Sequence, residues 1–342
     1  MSRNDEFGAV YVQTNEPENR VFAFRRREGG ALERLGGYPT GGAGSGVPHL
    51  QSQGSVALAG SGRHVLVTNA ASNDVSVLAV VADGLELVQT VPTGGAAPRS
   101  VTEHDGLVYV LNANDPSLGG FRLGEDGLEA IEGSRQELPA DADPAQAGFT
   151  PDGSSIVVTE RGTDSIALYR VDADGLLGEP YVFPSSGPTP YGFAFGRGGA
   201  LVVTEAFGAQ EGKAAASSYV FRNGAETAVS RSVGNGRSEI CWAVVTNDGR
   251  YAFTTNFADG AVSRYSIAED GSLVLENAVA GTAFEGQTGL RDEDLSADGR
   301  FLYAIDADSQ RIFGWGVGDG GELSPIGSWD GLPPTVAGLA AS

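Results

Sequence analysis

The sequence predicts an all-β chain, a seven-bladed β-propeller of four-stranded antiparallel blades whose ring is closed by the C-terminal strand pairing with the N-terminal blade. Three observations predict it. First, one unit recurs: a short apolar strand, a Gly turn, a strand ending in Thr-Asn, a polar loop and an alternating strand. It reads SVALAGSGRHVLVTNAASNDVSVL from Ser55 to Leu78 and WAVVTNDGRYAFTTNFADGAVSRY from Trp242 to Tyr265, with shorter relatives at Val101 to Asn112, Gly148 to Tyr169, Phe193 to Phe207 and Asp294 to Phe313. Second, the turn glycines Gly62, Gly106, Gly153, Gly199, Gly249 and Gly299 recur every 44 to 50 residues, the period of a propeller blade, and 342 residues hold about seven such units. Third, the ends are out of phase. Thr335 to Ser342 reads as the first strand of a unit and Gly8 to Asn15 as the second. Joining them in one blade leaves no unpaired sheet edge at the seam.

Within each unit, period-2 alternation such as Val75, Ser76, Val77 or Ile166, Ala167, Leu168 marks half-buried strands, and helical periodicity is absent. Asp83-Gly84, Asp126-Gly127, Asp174-Gly175 and Asp270-Gly271 are turns between the outer two strands of blades, where Asp-Gly supplies positive φ at little steric cost. No linker interrupts the pattern, so residues 1–342 form one domain; Pro39 to His49 and Ala209 to Ser218 are its longest loops.

The net charge of -22 argues against nucleic acid or an anionic membrane as partner and fits a solvated acidic surface. Cys241 is alone, so no intramolecular disulfide forms. No segment has the pattern of a signal peptide or a membrane helix, so a cytoplasmic location is the default, and secretion after removal of a signal stays compatible with the sequence. His49, His64 and His104 are isolated and no HExxH is present, so no metal is expected. No Ser sits in a GxSxG elbow, and the glycines of Gly41 to Gly46 do not lie between strand and helix.

Function is then sought at the rim of the central channel, where loops from all blades converge. One ring of equivalent positions ends the second strands: Asn15, Asn69, Asn112, Glu160, Glu205, Asn256 and Asp306. Asparagine there bonds the following turn, and Glu160, Glu205 and Asp306 depart from the rule, as functional residues do. These acids come from different blades and offer no compact Ca²⁺ loop. A second ring precedes the inner strands: His49 with Gln51 and Gln53, Arg99, Gln146, Tyr191, Arg237 with Glu239, and Arg291 with Asp292 and Asp294. Arg99, Arg237 and Arg291 have the geometry to orient a carboxylate or phosphate, or else they pair with acids such as Glu239 and Asp292. Trp242 either stacks on a ligand or packs within its blade.

The xDGR turns, VTN-x-x-x-NDVSVL and TERGTDSIALYRVDADG together resemble the lactonase-like seven-bladed propellers, the group that holds bacterial 6-phosphogluconolactonase and fungal carboxymuconate-lactonising enzyme. SADGRFLYAID, FTPDGSSIVVTE and GPTPYGFAFGRGGALVVTEAFG extend the likeness over nearly the whole chain. The resemblance implies a glutamate closing a second strand, matched by Glu205, and an arginine or histidine entering an inner strand, matched by Arg99 after Pro98. Pro144-Ala145-Gln146 and Thr189-Pro190-Tyr191 depart from the histidine and the Pro-Arg-His usual at those places. Two readings follow. One is an enzyme that hydrolyses or forms a small lactone, sugar-derived or muconate-like. In it, Glu205, Arg99 and Arg291 are catalytic, and Arg237, Glu239, Gln146, Tyr191, Glu160, Asp306, His49, Gln53 and Trp242 bind a small molecule at the channel, with no cofactor. The other is a propeller that binds a ligand or protein without catalysis, and on either reading the chain is expected to be a monomer.

Overall fold

A computed structural model describes residues 8–48, 50–222, 225–284 and 287–342, apart from the side chain of Arg222. The described residues form seven antiparallel sheets arranged as blades. Blade 1 takes its inner strand from Leu339–Ala341 and its others from Ala9–Gln13, Arg20–Arg26 and Leu32–Pro39. The seam is in register, with Val10 opposite Ala341 and Val12 opposite Leu339, so the expected closure by the C-terminal strand is the one observed. Blades 2 to 7 follow in order at residues 56–92, 98–137, 144–184, 190–234, 240–282 and 290–329; blade 3 adds a two-residue strand, Gln136–Glu137. Short 3-10 turns, such as Phe257–Asp259, are the only helical segments among the described residues.

The alternating strands place one set of apolar side chains on each face of every blade, so the core is seven thin layers between neighbours. Val10, Phe24, Tyr303 and Ile312 fill the layer between blades 7 and 1, and Val75, Val77, Val108 and Phe121 that between blades 2 and 3. Each such side chain, fully buried, contributes roughly 1.5–3 kcal/mol.

Polar latches tie the same interfaces near the mouth of the channel. In four of them the residue just after the outer strand of one blade bonds the residue ending the second strand of the next. Thr40 Oγ1 donates to Asn69 (2.8 Å), Thr93 Oγ1 to Asn112 (2.7 Å), Ser185 Oγ to Glu205 (3.3 Å) and Asn235 Nδ2 to Asn256 (2.9 Å).

Candidate functional site

Backbone strain and bulges shape the channel mouth. The residue entering each inner strand has positive φ in every blade: glycine at Gly54, Gly289 and Gly338, but Ala97 (55°), Asp143 (39°), Thr189 (60°) and Glu239 (54°) in the others. Left-handed backbone at such side-chain-bearing residues is strained and clusters at functional sites. Just beyond it, five successive inner strands carry one residue more than the second strands they pair with. Arg99 is left over between Pro98 and Ser100, and Ala145 between Pro144 and Gln146. In blades 5, 6 and 7 the extra residue falls at Tyr191-Gly192, Cys241-Trp242 and Arg291-Asp292. A bulge bends its strand and re-aims a side chain. The inner strands of blades 1 and 2 pair without a shift, so the mouth is built from one side of the ring.

The result is a cavity of about 350 Å³ lined by Tyr191, Cys241 and Arg291 from the bulges, with Arg161, Glu239, Phe257 and Gln51. Arg161 follows the second strand of blade 4. Its Nη2 donates to Asp143 Oδ1 (2.7 Å) and Gln51 Oε1 (3.1 Å), and its guanidinium carbon lies 5.1 Å from the Tyr191 ring centroid. Arg99 stands behind it, donating to the same Asp143 Oδ1 at 3.4 Å. Arg291 donates to the Pro48 carbonyl and sits 4.9 Å from the Phe257 ring centroid. Burial lowers the pKa of Arg99, helped by the neighbouring Arg161 charge, and burial likewise lowers that of Arg291. Burial pushes the Cys241 thiol far up, which disfavours the thiolate.

A plug separates this cavity from the channel. Gln53 N donates to Ala145 O, its side-chain amide pairs with both Ala243 O (2.8 Å) and Ala243 N (3.0 Å), and Trp242 Nε1 donates to Ser52 O (2.7 Å). Gln51 faces the mouth and Gln53 the channel, whose cavity of about 410 Å³ is also lined by Asp292, Glu293, Asp294 and Gln146. Burial holds the carboxyls of Asp292 and Glu293 well above the usual range and raises that of Asp294 to about 7.

Of the residues singled out from sequence, Tyr191, Glu239 and Arg291 line the mouth cavity and Arg99 buttresses it through Asp143. Glu205 does not join them. It has no exposed surface, and its carboxylate accepts bonds from Ser217 Oγ (2.6 Å), Ser232 Oγ (2.7 Å), Gly187 N (2.8 Å) and Ser185 Oγ. Those four donors occupy it as an interblade latch, the position asparagine holds elsewhere. Glu160 and Asp306 are equally buried, accepting from Thr163 and Ser309 rather than facing the channel. Gln146 bridges to the Phe193 backbone of blade 5, and Arg237 pairs with Asp259 away from the cavity. Gln53 belongs to the plug, and Trp242 is buried against Tyr191, packing rather than presenting a face to a ligand. His49 lies outside the described residues.

Sequence reasoning missed Arg161, Asp143, Phe257 and Cys241. Cys241 stands two residues after its left-handed entrance residue, as do Arg99, Tyr191 and Arg291, and that count would have found it. Among the described residues no group of three metal-ligating side chains is present, and no helix is long and apolar enough to cross a membrane.

Bulged inner strands around one mouth, on a ring of seven four-stranded sheets closed by the terminal strands, define a seven-bladed propeller. The model of the "Lactonase, 7-bladed beta-propeller" family matches residues 7–128, 126–206 and 201–334, and the chain belongs to that family. Among solved structures it is similar to a Bacteroides fragilis protein provisionally assigned as a 6-phosphogluconolactonase (20% identity, 100% of this chain and 99% of that chain, TM-score 0.74). It is also similar to the periplasmic gluconolactonase of Pseudomonas aeruginosa (16% identity, 98% of each chain, TM-score 0.73) and to a Desulfotomaculum acetoxidans protein of unknown function (15% identity, 98% of each, TM-score 0.75). At these identities the likeness to solved structures concerns the fold. Comparison with curated proteins finds no match.

Proposed function

We propose that the chain is a lactonase that opens a small lactone ring in the mouth cavity. The observation that carries this reading is the convergence of Arg161 and Arg291 on one cavity beside Glu239, in a family of lactonase propellers. The ligand carbonyl sits between the guanidiniums, whose N–H groups stabilise the oxyanion that forms as water attacks. Glu239 is the one carboxylate among the described residues that line the cavity. It takes the proton of the attacking water and returns it to the ring oxygen as the acyl C–O bond breaks, giving the hydroxy acid. No cofactor is required by these steps. Arg99 holds Asp143, and through it Arg161, in place.

The test is hydrolysis of a lactone panel followed by proton release. Glu239→Gln is expected to cut kcat by about 100-fold or more while leaving the melting temperature unchanged. Unaltered kcat in that variant would remove Glu239 as the base. Saturable binding with no turnover of any lactone would assign the chain to the non-catalytic binding propellers instead.

A further inference from the structure

The channel below the plug carries groups that ring opening at the mouth does not use. Its cavity of about 410 Å³ is lined by Asp292, Glu293 and Asp294, and no arginine, lysine or histidine is among the described residues that line it. The three carboxyls are successive residues of one inner strand, and they turn to different neighbours. Asp294 Oδ2 accepts from Ala341 N of blade 1 (2.9 Å), while Asp292 is eased by the Arg291 charge and by the Leu339 amide of that blade. Glu293 is turned towards blade 6, where the Thr255 amide is the one group that eases its charge. It is 4% exposed, and neither of its carboxyl oxygens makes a hydrogen bond of normal geometry among the described residues.

A buried carboxyl without a counter-charge either keeps its proton or takes up a cation. The lining narrows the kind of cation. The two side-chain amides of the cavity are already paired at both ends, Gln53 with Ala243 and Gln146 with Phe193, so neither is free to hold a polar body. A bare divalent metal needs several oxygens converging on one point, and among the described residues no three metal-ligating side chains do so. An alkylammonium asks for less. Its head carries three N–H donors for carboxylate oxygens, and its hydrocarbon tail suits the Val56, Leu58, Val101 and Val244 side of the same cavity.

We propose that the channel is a binding site for a small alkylammonium ion, with Glu293 as the counter-ion of the ammonium head and Asp292 and Asp294 as flanking carboxyls. The site lies across the plug from the mouth and does not depend on the ring-opening reading. Burial holds Glu293 and Asp292 well above the usual carboxylate range, so without a cation they keep their protons, and an arriving ammonium displaces at least one.

Calorimetry with n-butylammonium and its neutral counterpart n-butanol tests this, at about pH 7 and about 0.15 M salt, where distant surface charges are screened. n-Butylammonium is expected to bind saturably at one site and to release a proton, measured from the heats in two buffers of different ionisation enthalpy. Carboxylates on the acidic surface are already ionised at this pH, so binding there would release none. Glu293→Gln keeps the shape and removes an unpaired buried charge, so it should fold as well as the parent and bind n-butylammonium about tenfold more weakly or worse. Glu86→Gln, at an exposed acid on blade 2, should leave binding unchanged. Absent binding, binding without proton release, equal binding by Glu293→Gln or equal binding of n-butanol overturns the proposal. Calcium ion that displaces n-butylammonium at lower concentration overturns it too, and assigns the carboxyls to a metal.

Discussion

Gln53 reaches across the channel to Ala243, its side-chain amide bonding both backbone groups of a residue in blade 6 while its own backbone leads into blade 2. This pairing imitates one rung of a sheet between two blades that are not neighbours. Replacing Gln53 with Ala removes both bonds, which at about 1 kcal/mol each predicts a loss of about 2 kcal/mol in urea unfolding. Gly192→Ala should disturb the same place from the other side, since a Cβ there would stand 2.2 Å from Gln53 Oε1 and 2.5 Å from the Cys241 carbonyl. Normal stability in both variants would show that the plug is not held by this contact.

Glu205 is predicted to matter for folding rather than for chemistry. Glu205→Ala leaves three hydroxyls and an amide without their acceptor in a fully buried site and should cost roughly 3–5 kcal/mol. Glu205→Gln should cost only about 1 kcal/mol, because its oxygen can keep Gly187 N while its NH₂ turns to Ser232, whose hydroxyl can accept. Folded Glu205→Gln protein is expected to retain its activity; a kcat reduced about 100-fold at unchanged stability would restore Glu205 to the catalytic machinery.

Asp294 should make stability depend on pH. Burial raises its folded pKa to about 7 from 3.8, although it accepts bonds from Ala341 N and Leu295 N. Between those values the folded state binds more protons than the unfolded one, so unfolding free energy from this group falls as pH rises from about 4 to about 7 and levels off above. Denaturant titrations at a series of pH values measure this slope. Asp294→Asn should make it shallower, since the buried Asp292 and Glu293 contribute a slope of the same sign, and an identical slope in the variant would assign the effect elsewhere.

Gly338 precedes the closing strand with φ of +94°, and a Cβ there would lie 2.2 Å from Ser55 Oγ. Gly338→Ala is expected to cost about 2 kcal/mol and to speed hydrogen exchange in Val10 and Val12, which pair with that strand. Exchange accelerated evenly through all blades would indicate a global effect instead of an opened seam.

The blade count and the seam were legible because repetition and strand alternation are local signals, and every blade writes them again. The mouth was legible only in part. Arg99, Tyr191 and Arg291 could be aligned by their distance from the inner strand. Arg161 follows a glutamate whose own side chain turns inward, so attention to the departing acid at 160 pointed one residue away from the group that faces the cavity. Glu205 misled for a related reason. A carboxylate among asparagines reads as a functional departure, yet serines at 185, 217 and 232, remote in sequence, supply the donors that make it a structural substitute. Bulges leave no composition signal, since one added residue is visible only against its partner strand.

Sharing blade 1 between the two ends of the described chain also sets an order of events during synthesis. Strands 9–39 emerge first, yet they have no inner neighbour until residue 341 has been made, more than 300 residues later. Throughout translation the nascent chain therefore carries an incomplete first blade with one naked inner edge, and a ribosome stalled anywhere before that point would hold an open arc of blades whose exposed strand invites pairing with another chain.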